Sequence, residues 1–193
     1  GPPPIFVGGF GPRMIEVAGE VADGLIVHPF NTRRTMTELV LPALERGVAR
    51  GARATSPELV WVVNVVTWGS DEERAEAMLM IKGQFGFYGS TPAYAPTLEL
   101  HGYGDLHPRL NALSKEGKWL EMAELIPDEL VAELAVVGPR DELADQVIER
   151  LFVIERMKDG RLPVRTFGAE LVKVFGRDLK EHDLARFFLA PDL

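Results

Sequence analysis

Ile5-Phe6-Val7-Gly8-Gly9-Phe10-Gly11-Pro12-Arg13-Met14, followed one helix-length later by Asp23-Gly24-Leu25-Ile26-Val27-His28, decides how this chain folds. Ile5-Phe6-Val7 is a short apolar run between Pro4 and Gly8, the pattern of a strand buried on both faces. Pro12 suits the first position of a helix, where its missing N–H leaves no bond unmade. Met14, Val17, Ala18, Val21 and Ala22 then recur at helical spacing and predict an apolar face. Asp23-Gly24 closes that helix, and Leu25-Ile26-Val27 starts a second apolar strand. Residues 5 to 28 therefore predict a β-α-β unit with parallel strands, because a crossover helix brings the chain back to the same end of the sheet.

Working outward, the same rhythm repeats. Thr35 to Arg50 reads as a helix interrupted near Pro42, with Leu39, Val40, Leu44 and Val48 turned inward, and Leu59 to Trp68 as one long Val-rich strand. Ser70 is a strong N-cap followed by Asp71, Glu72 and Glu73, acids that complement the positive end of a helix predicted to reach Phe87. From Ser90 to about Leu134 only helical patterns occur, too many residues for an ordinary connection, which predicts a helical insertion over about 88–135. Val136-Val137-Gly138-Pro139 leads into a helix from Asp141 to Arg150, and Leu151 to Ile154 supplies a last strand. All-parallel strands with outer helices predict a (β/α)8 barrel, but three or four strands do not close one. The expectation is half a barrel over residues 1–157, with a divergent tail over 158–193. The opening Gly1-Pro2-Pro3-Pro4, without Met, reads as a start in mid-fold.

Composition narrows the function. With 193 residues, 46% apolar and 26% charged, the chain has material for a packed core. Lys and Arg number 21 against 29 Asp and Glu, and the net charge of -8 repels nucleic-acid backbones. No apolar run approaches the ~20 residues that span a bilayer, and the N-terminus lacks the order of a signal peptide, so a cytoplasmic protein is expected. The chain has no cysteine. That removes disulfides, thiolate nucleophiles and Cys-ligated metals, so redox chemistry requires a bound organic cofactor.

The sharpest candidate site is the turn Gly8, Gly9, Phe10, Gly11, Pro12 and Arg13 between strand and helix. Glycines let backbone N–H groups approach an anion, and the helix start adds unpaired amides and a positive dipole end. It is not a dinucleotide fingerprint, because Met14 stands where the third glycine would, and no acidic residue ends the next strand. Nor is it a P-loop, since no Lys-Ser or Lys-Thr follows. A phosphate cradle and a plain tight turn both remain open. His28 and Phe30 follow the second strand, where barrel enzymes keep their active-site residues. His28 is either a donor to a substrate or a structural loop residue, and Trp68, at the end of the third strand, either a pocket wall or core packing. For Phe87 to Tyr94 we favour Ser90 or Thr91 as an N-cap with aromatic packing over a pocket rim. The loop holding His101, Asp105 and His107 fits no standard ligand spacing, so no metal site is expected. Gly89-Ser90-Thr91 lacks the spacing of a nucleophile elbow, and no catalytic residue is assigned.

On these residues the chain resembles a known family. Ile5 to Met14 with Ala18-Gly19-Glu20-Val21-Ala22-Asp23-Gly24-Leu25-Ile26 is similar to the fifth strand, helix and sixth strand of luciferase-like monooxygenases. Phe87-Tyr88-Gly89-Ser90-Thr91-Pro92-Ala93-Tyr94 and Leu100-His101-Gly102-Tyr103-Gly104-Asp105-Leu106 resemble the branch of coenzyme F420-dependent oxidoreductases, and this second match is the more specific. The likeness runs from about Pro4 to Arg150 and implies the second half of a (β/α)8 barrel. It implies coenzyme F420, or FMN in the flavin branch, with a phosphate held by the amides of Gly8 to Gly11. It also implies that His28 and Phe30 lie on the side of a small-molecule substrate, and that a hydride is moved. The family's first four strands, which carry most ring contacts and the usual acid or base, are not in this sequence, and after about Phe152 the pattern of the final strand and helix stops. An open barrel edge further suggests pairing with a second chain or a homo-oligomer.

Overall fold

A computed structural model describes residues 2–51, 57–140, 142, 153–154 and 164–166. The described residues form two compact units. The first holds the predicted β-α-β motif: β1 (Phe6–Gly9), α1 (Pro12–Val21) and β2 (Gly24–Val27), extended by α3 (Leu41–Arg50) and β3 (Glu58–Trp61). β1 pairs parallel with β2, and β2 parallel with β3, in the register Val7, Leu25, Leu59. Leu25, Val27 and Leu59 are buried on one face, while Ile26 on the opposite face is 38% exposed. Phe6 lies across Gly24, whose missing Cβ makes room for the ring. Among the described residues β1 lies at the edge of its sheet, with β2 as its neighbour.

The α1 helix turns a different face inward from the one its large residues predict. Ile15, Ala18, Gly19 and Ala22 are buried, whereas Met14, Val17 and Val21 are 46%, 44% and 61% exposed. Small residues won this face because α1 packs closely on α3: a Cβ on Gly19 would stand 2.5 Å from the Leu44 carbonyl oxygen, and one on Gly47 would overlap the Glu16 carbonyl. Glu16 ties the same pair together, accepting from Arg46 at 2.8 Å and from Arg50 at 2.7 Å. These two guanidinium bonds, Arg50 first, hold its carboxyl below the ordinary glutamate range.

The first unit also contains β6 (Val153–Ile154) and β7 (Val164–Thr166). The expected strand at 151–154 is present in part, but it is not parallel: Ile154 pairs antiparallel with Leu59, and β7 folds back antiparallel on β6. Antiparallel pairing removes the expectation of an all-parallel sheet at this edge. The helix expected over 141–150 and most of the tail lie outside the described residues.

The second unit begins at His28 and continues through α2 (Arg33–Thr35) and a π-helical turn (Met36–Val40). Pro42 cannot donate to an α-helical ladder, and the wider π turn lies just ahead of it. The changed turn width shifts the phase, so Val40 is buried at 3% while Leu39, predicted inward, is 38% exposed.

The long strand expected over Leu59–Trp68 is two strands. β3 belongs to the first unit, and β4 (Asn64–Trp68) pairs in parallel with β5 (Ala135–Pro139) in the second. The apolar run 59–68 contains no breaker; the break comes from each half having its own pairing partner. Between β4 and β5 run α4 (Asp71–Gly89), the helix predicted to reach Phe87, and then a 3-10 turn (Pro92–Tyr94), α5 (Ala95–Leu100), α6 (Leu106–Lys115), α7 (Trp119–Glu124) and α8 (Asp128–Leu134) over the span of the predicted helical insertion. Ser70 caps α4 as read, accepting from the Glu73 N–H at 3.3 Å. The core of this unit gathers Phe30, Val66, Phe85, Leu98, Leu110, Met122, Leu130 and Leu134. No helix of the described residues is long and apolar enough to cross a membrane.

Candidate functional site

The glycine turn begins in a strand and ends at a helix that lacks a side-chain cap. Gly11 is the N-cap of α1 with φ 81 and ψ 149, a backbone state that L side chains rarely adopt. Its carbonyl accepts from Ile15 N–H at 3.2 Å, and no side chain caps the first turn. Gly9 is packed, for a Cβ there would lie 3.1 Å from Leu25 Cδ1. Gly8 and Gly11 are open, with nothing within 4 Å of a Cβ at either. Pro12 and Arg13 are exposed. The two glycines thus leave free space beside a helix start that carries a positive dipole end. That space and chemistry suit a phosphate group.

The segment after β2 is held very differently. Three consecutive carbonyls each accept from a side chain: His28 O from Asn31 Nδ2 at 2.9 Å, Pro29 O from Asn64 Nδ2 at 3.4 Å, and Phe30 O from Thr97 Oγ1 at 3.2 Å. Thr32 and Thr35 close a capping box, and His101 Nε2 shares a 2.8 Å hydrogen bond with Thr32 Oγ1. The His28 ring stacks on Tyr94 at 4.6 Å and 22° and meets the edge of Tyr88 at 4.7 Å. Its Nδ1 accepts from the Phe30 N–H at 3.1 Å. Burial holds the imidazole below the ordinary histidine value, and burial likewise lowers His101.

Phe30 corrects its sequence reading. It is 0% exposed and packs against Phe85, Tyr88 and Tyr94, so it is core rather than a residue on the substrate side. An aromatic residue gains more by filling this core than by lining a wet cleft. Trp68 packs partly buried against the core, and its exposed part lines an open surface cleft with Ser70, Pro139 and Arg140. The Arg74 guanidinium lies over its ring at 5.4 Å. Neither Ser90 nor Thr91 caps a following helix through its side chain. Ser90 ends α4 and donates to Phe87 O at 2.7 Å, and Thr91 makes no cap bond. His107 Nδ1–H donates to Gly89 O at 2.8 Å. Sequence reasoning did not find Asn31, Asn64 and Thr97. Thr97 stands among buried apolar neighbours, which is a signal of a needed polar contact, but its partner is 67 residues away.

Parallel strands alternating with helices, with the glycine turn and His28 just past the carboxyl ends of β1 and β2, define an α/β protein. Comparison with known sequences sharpens that class: a model of the luciferase-like monooxygenase family matches residues 1–153, and the chain belongs to this family. A PAS-domain model also matches residues 136–192. An uncharacterized protein of Mycobacterium tuberculosis is 45% identical over 163 residues, covering 84% of this chain and 47% of that protein. An F420-dependent glucose-6-phosphate dehydrogenase of Nakamurella multipartita is 34% identical over 74 residues, 38% of this chain and 22% of its own. In structure the chain is similar to the coenzyme F420-dependent tetrahydromethanopterin reductase of Methanopyrus kandleri, with TM-score 0.58 at 20% identity over 76% of this chain and 41% of that one. The chain spans about half the length of the curated relatives that it matches along most of its own length.

Proposed function

We propose that this chain contributes the coenzyme-phosphate subsite of an F420-dependent oxidoreductase that moves a hydride to or from a small organic substrate. By the resemblance it would supply the second half of this family's (β/α)8 barrel. The observation that carries the reading is the uncapped start of α1, with Gly11 at φ 81 and open space beside Gly8 and Gly11. Gly8, Gly9, Phe10 and Gly11 would hold a phosphate through backbone amides, Pro12 would set the helix start, and Arg13 would add a cation. Bound F420, or FMN as the alternative, supplies the hydride chemistry. His28 and Trp68 are carried over as substrate-side residues from the resemblance, and the names of the relatives support F420 as the coenzyme.

The test is titration of the chain with F420, FMN and inorganic phosphate, followed by backbone amide shifts. Saturable shifts confined to Gly8–Arg13, stronger with F420 than with FMN, support the subsite. Shifts absent there, or spread over the surface, remove it.

A second reading, an assembly module, is favoured by one observation. The edge strand β1 adjoins exposed Ile5 at 65%, and α1 exposes Met14, Val17 and Val21. Unpaired edges and apolar stripes of this kind are covered in stable proteins. Light scattering distinguishes the two: a monomer at high concentration counts against self-assembly.

A further inference from the structure

We propose that His28 is kept as one neutral tautomer, with its proton on Nε2, and that Asn31, Asn64 and Thr97 are the positioning residues that keep it so. The proposal deepens the reading of His28 as a substrate-side group and rests on that reading for its catalytic meaning. The tautomer itself follows from geometry. Phe30 N–H points at Nδ1, so Nδ1 must present a lone pair, and a neutral imidazole then carries its hydrogen on Nε2. An imidazolium would set two N–H groups against each other. The bond lasts only while the Phe30 N–H keeps its direction, and every neighbouring peptide is fixed. The carbonyls of residues 28, 29 and 30 are held by Asn31, by Asn64 from β4 and by Thr97 from α5. The Phe30 side chain is clamped in the core, and the capping box with His101 fixes the peptides that follow. Tyr94 from the 3-10 turn and Tyr88 from α4 face the ring and block its rotation.

Three side chains spent on three successive carbonyls are more than a turn requires. Short loops hold shape through their own backbone bonds, and each buried side-chain donor must be desolvated to serve one carbonyl. Here the donors converge on the segment that sets one imidazole.

The experiment uses the full chain labelled with 15N at histidine. Its histidines are His28, His101, His107 and His182, and His28→Gln assigns the signal. Long-range proton–nitrogen spectra at pH 7.5 are expected to show His28 as one tautomer protonated at Nε2. Thr97→Val and Asn31→Ala should each convert it to an exchanging mixture and raise its titration midpoint toward the ordinary histidine value. Thr97→Ser keeps the hydroxyl and should keep the single tautomer. Asn64→Ala, which removes the longest of the three bonds, gives a milder variant should Thr97→Val fail to fold. A mixed tautomer in the unmodified chain overturns the proposal, as does an unchanged pattern in the folded variants. Failure of F420 to bind would remove the coenzyme reading and leave this result standing.

Discussion

Replacing Gly8 with Ala separates stability from binding more cleanly than any other change in the turn. The added methyl meets nothing within 4 Å, and Gly8 is not among the glycines with positive φ. The folded state accepts it without strain, and removing a glycine from a strand gains ~0.5–1 kcal/mol through the unfolded chain. Thermal stability should therefore hold or rise slightly. Binding should move the other way, because the methyl occupies the space through which a phosphate reaches the backbone amides. One charge-assisted hydrogen bond to a backbone N–H is worth ~1.5–3 kcal/mol, and at ~1.4 kcal/mol per factor of ten its loss weakens Kd by about 10- to 150-fold. Calorimetric titration of both proteins with F420, beside paired melting curves, measures both sides. Equal F420 affinity in a stably folded Gly8→Ala protein would refute the subsite reasoning. A drop in affinity matched by a drop in stability would refute the claim that this position is sterically free.

Three further outcomes are expected. Gly47→Ala forces α1 and α3 apart, and the overpacking, ~1–3 kcal/mol or more where backbone must move, outweighs a gain of ~1 kcal/mol in helix propensity; urea denaturation should show a net loss. Phe30→Ala should cost ~3–5 kcal/mol by the same measurement, as emptying a core does, whereas a substrate-side residue would leave stability nearly unchanged. Acid should destabilise the protein in two steps. His28 and His101 both have lowered values, so their contribution is complete above the ordinary histidine range and is lost as pH falls through the folded values; Glu16, also lowered, adds a second loss below the ordinary glutamate range. Melting curves from pH 8 to pH 3 should show both, and His28→Gln and Glu16→Gln should each flatten their own part.

The β-α-β unit was legible in the sequence because its information is local: short apolar runs, a proline at a helix start, and glycines where the chain turns. The helical insertion was legible for the same reason. What the sequence withheld depended on partners far along the chain. Nothing in the run from Leu59 to Trp68 marks where pairing passes from Gly24–Val27 to Ala135–Pro139. Hydrophobic periodicity gave α1 the face of its largest residues, whereas close approach to α3 required its smallest. Around the candidate site, the glycine turn could be read because its backbone chemistry is carried by residue type. The supports of His28 could not, since Asn64 and Thr97 reach it only once the chain is folded. Phe30 was misplaced because adjacency to a histidine says nothing about which way a neighbouring ring points.

The meeting of Gly19 and Gly47 limits how this protein can vary. Each helix leaves a notch only as deep as a hydrogen atom, and the other helix's main chain fills it. A randomised library at the two positions should return glycine at both, and doubly substituted survivors should be rarer than either single set suggests, because enlarging one side cannot be answered by trimming the other below glycine.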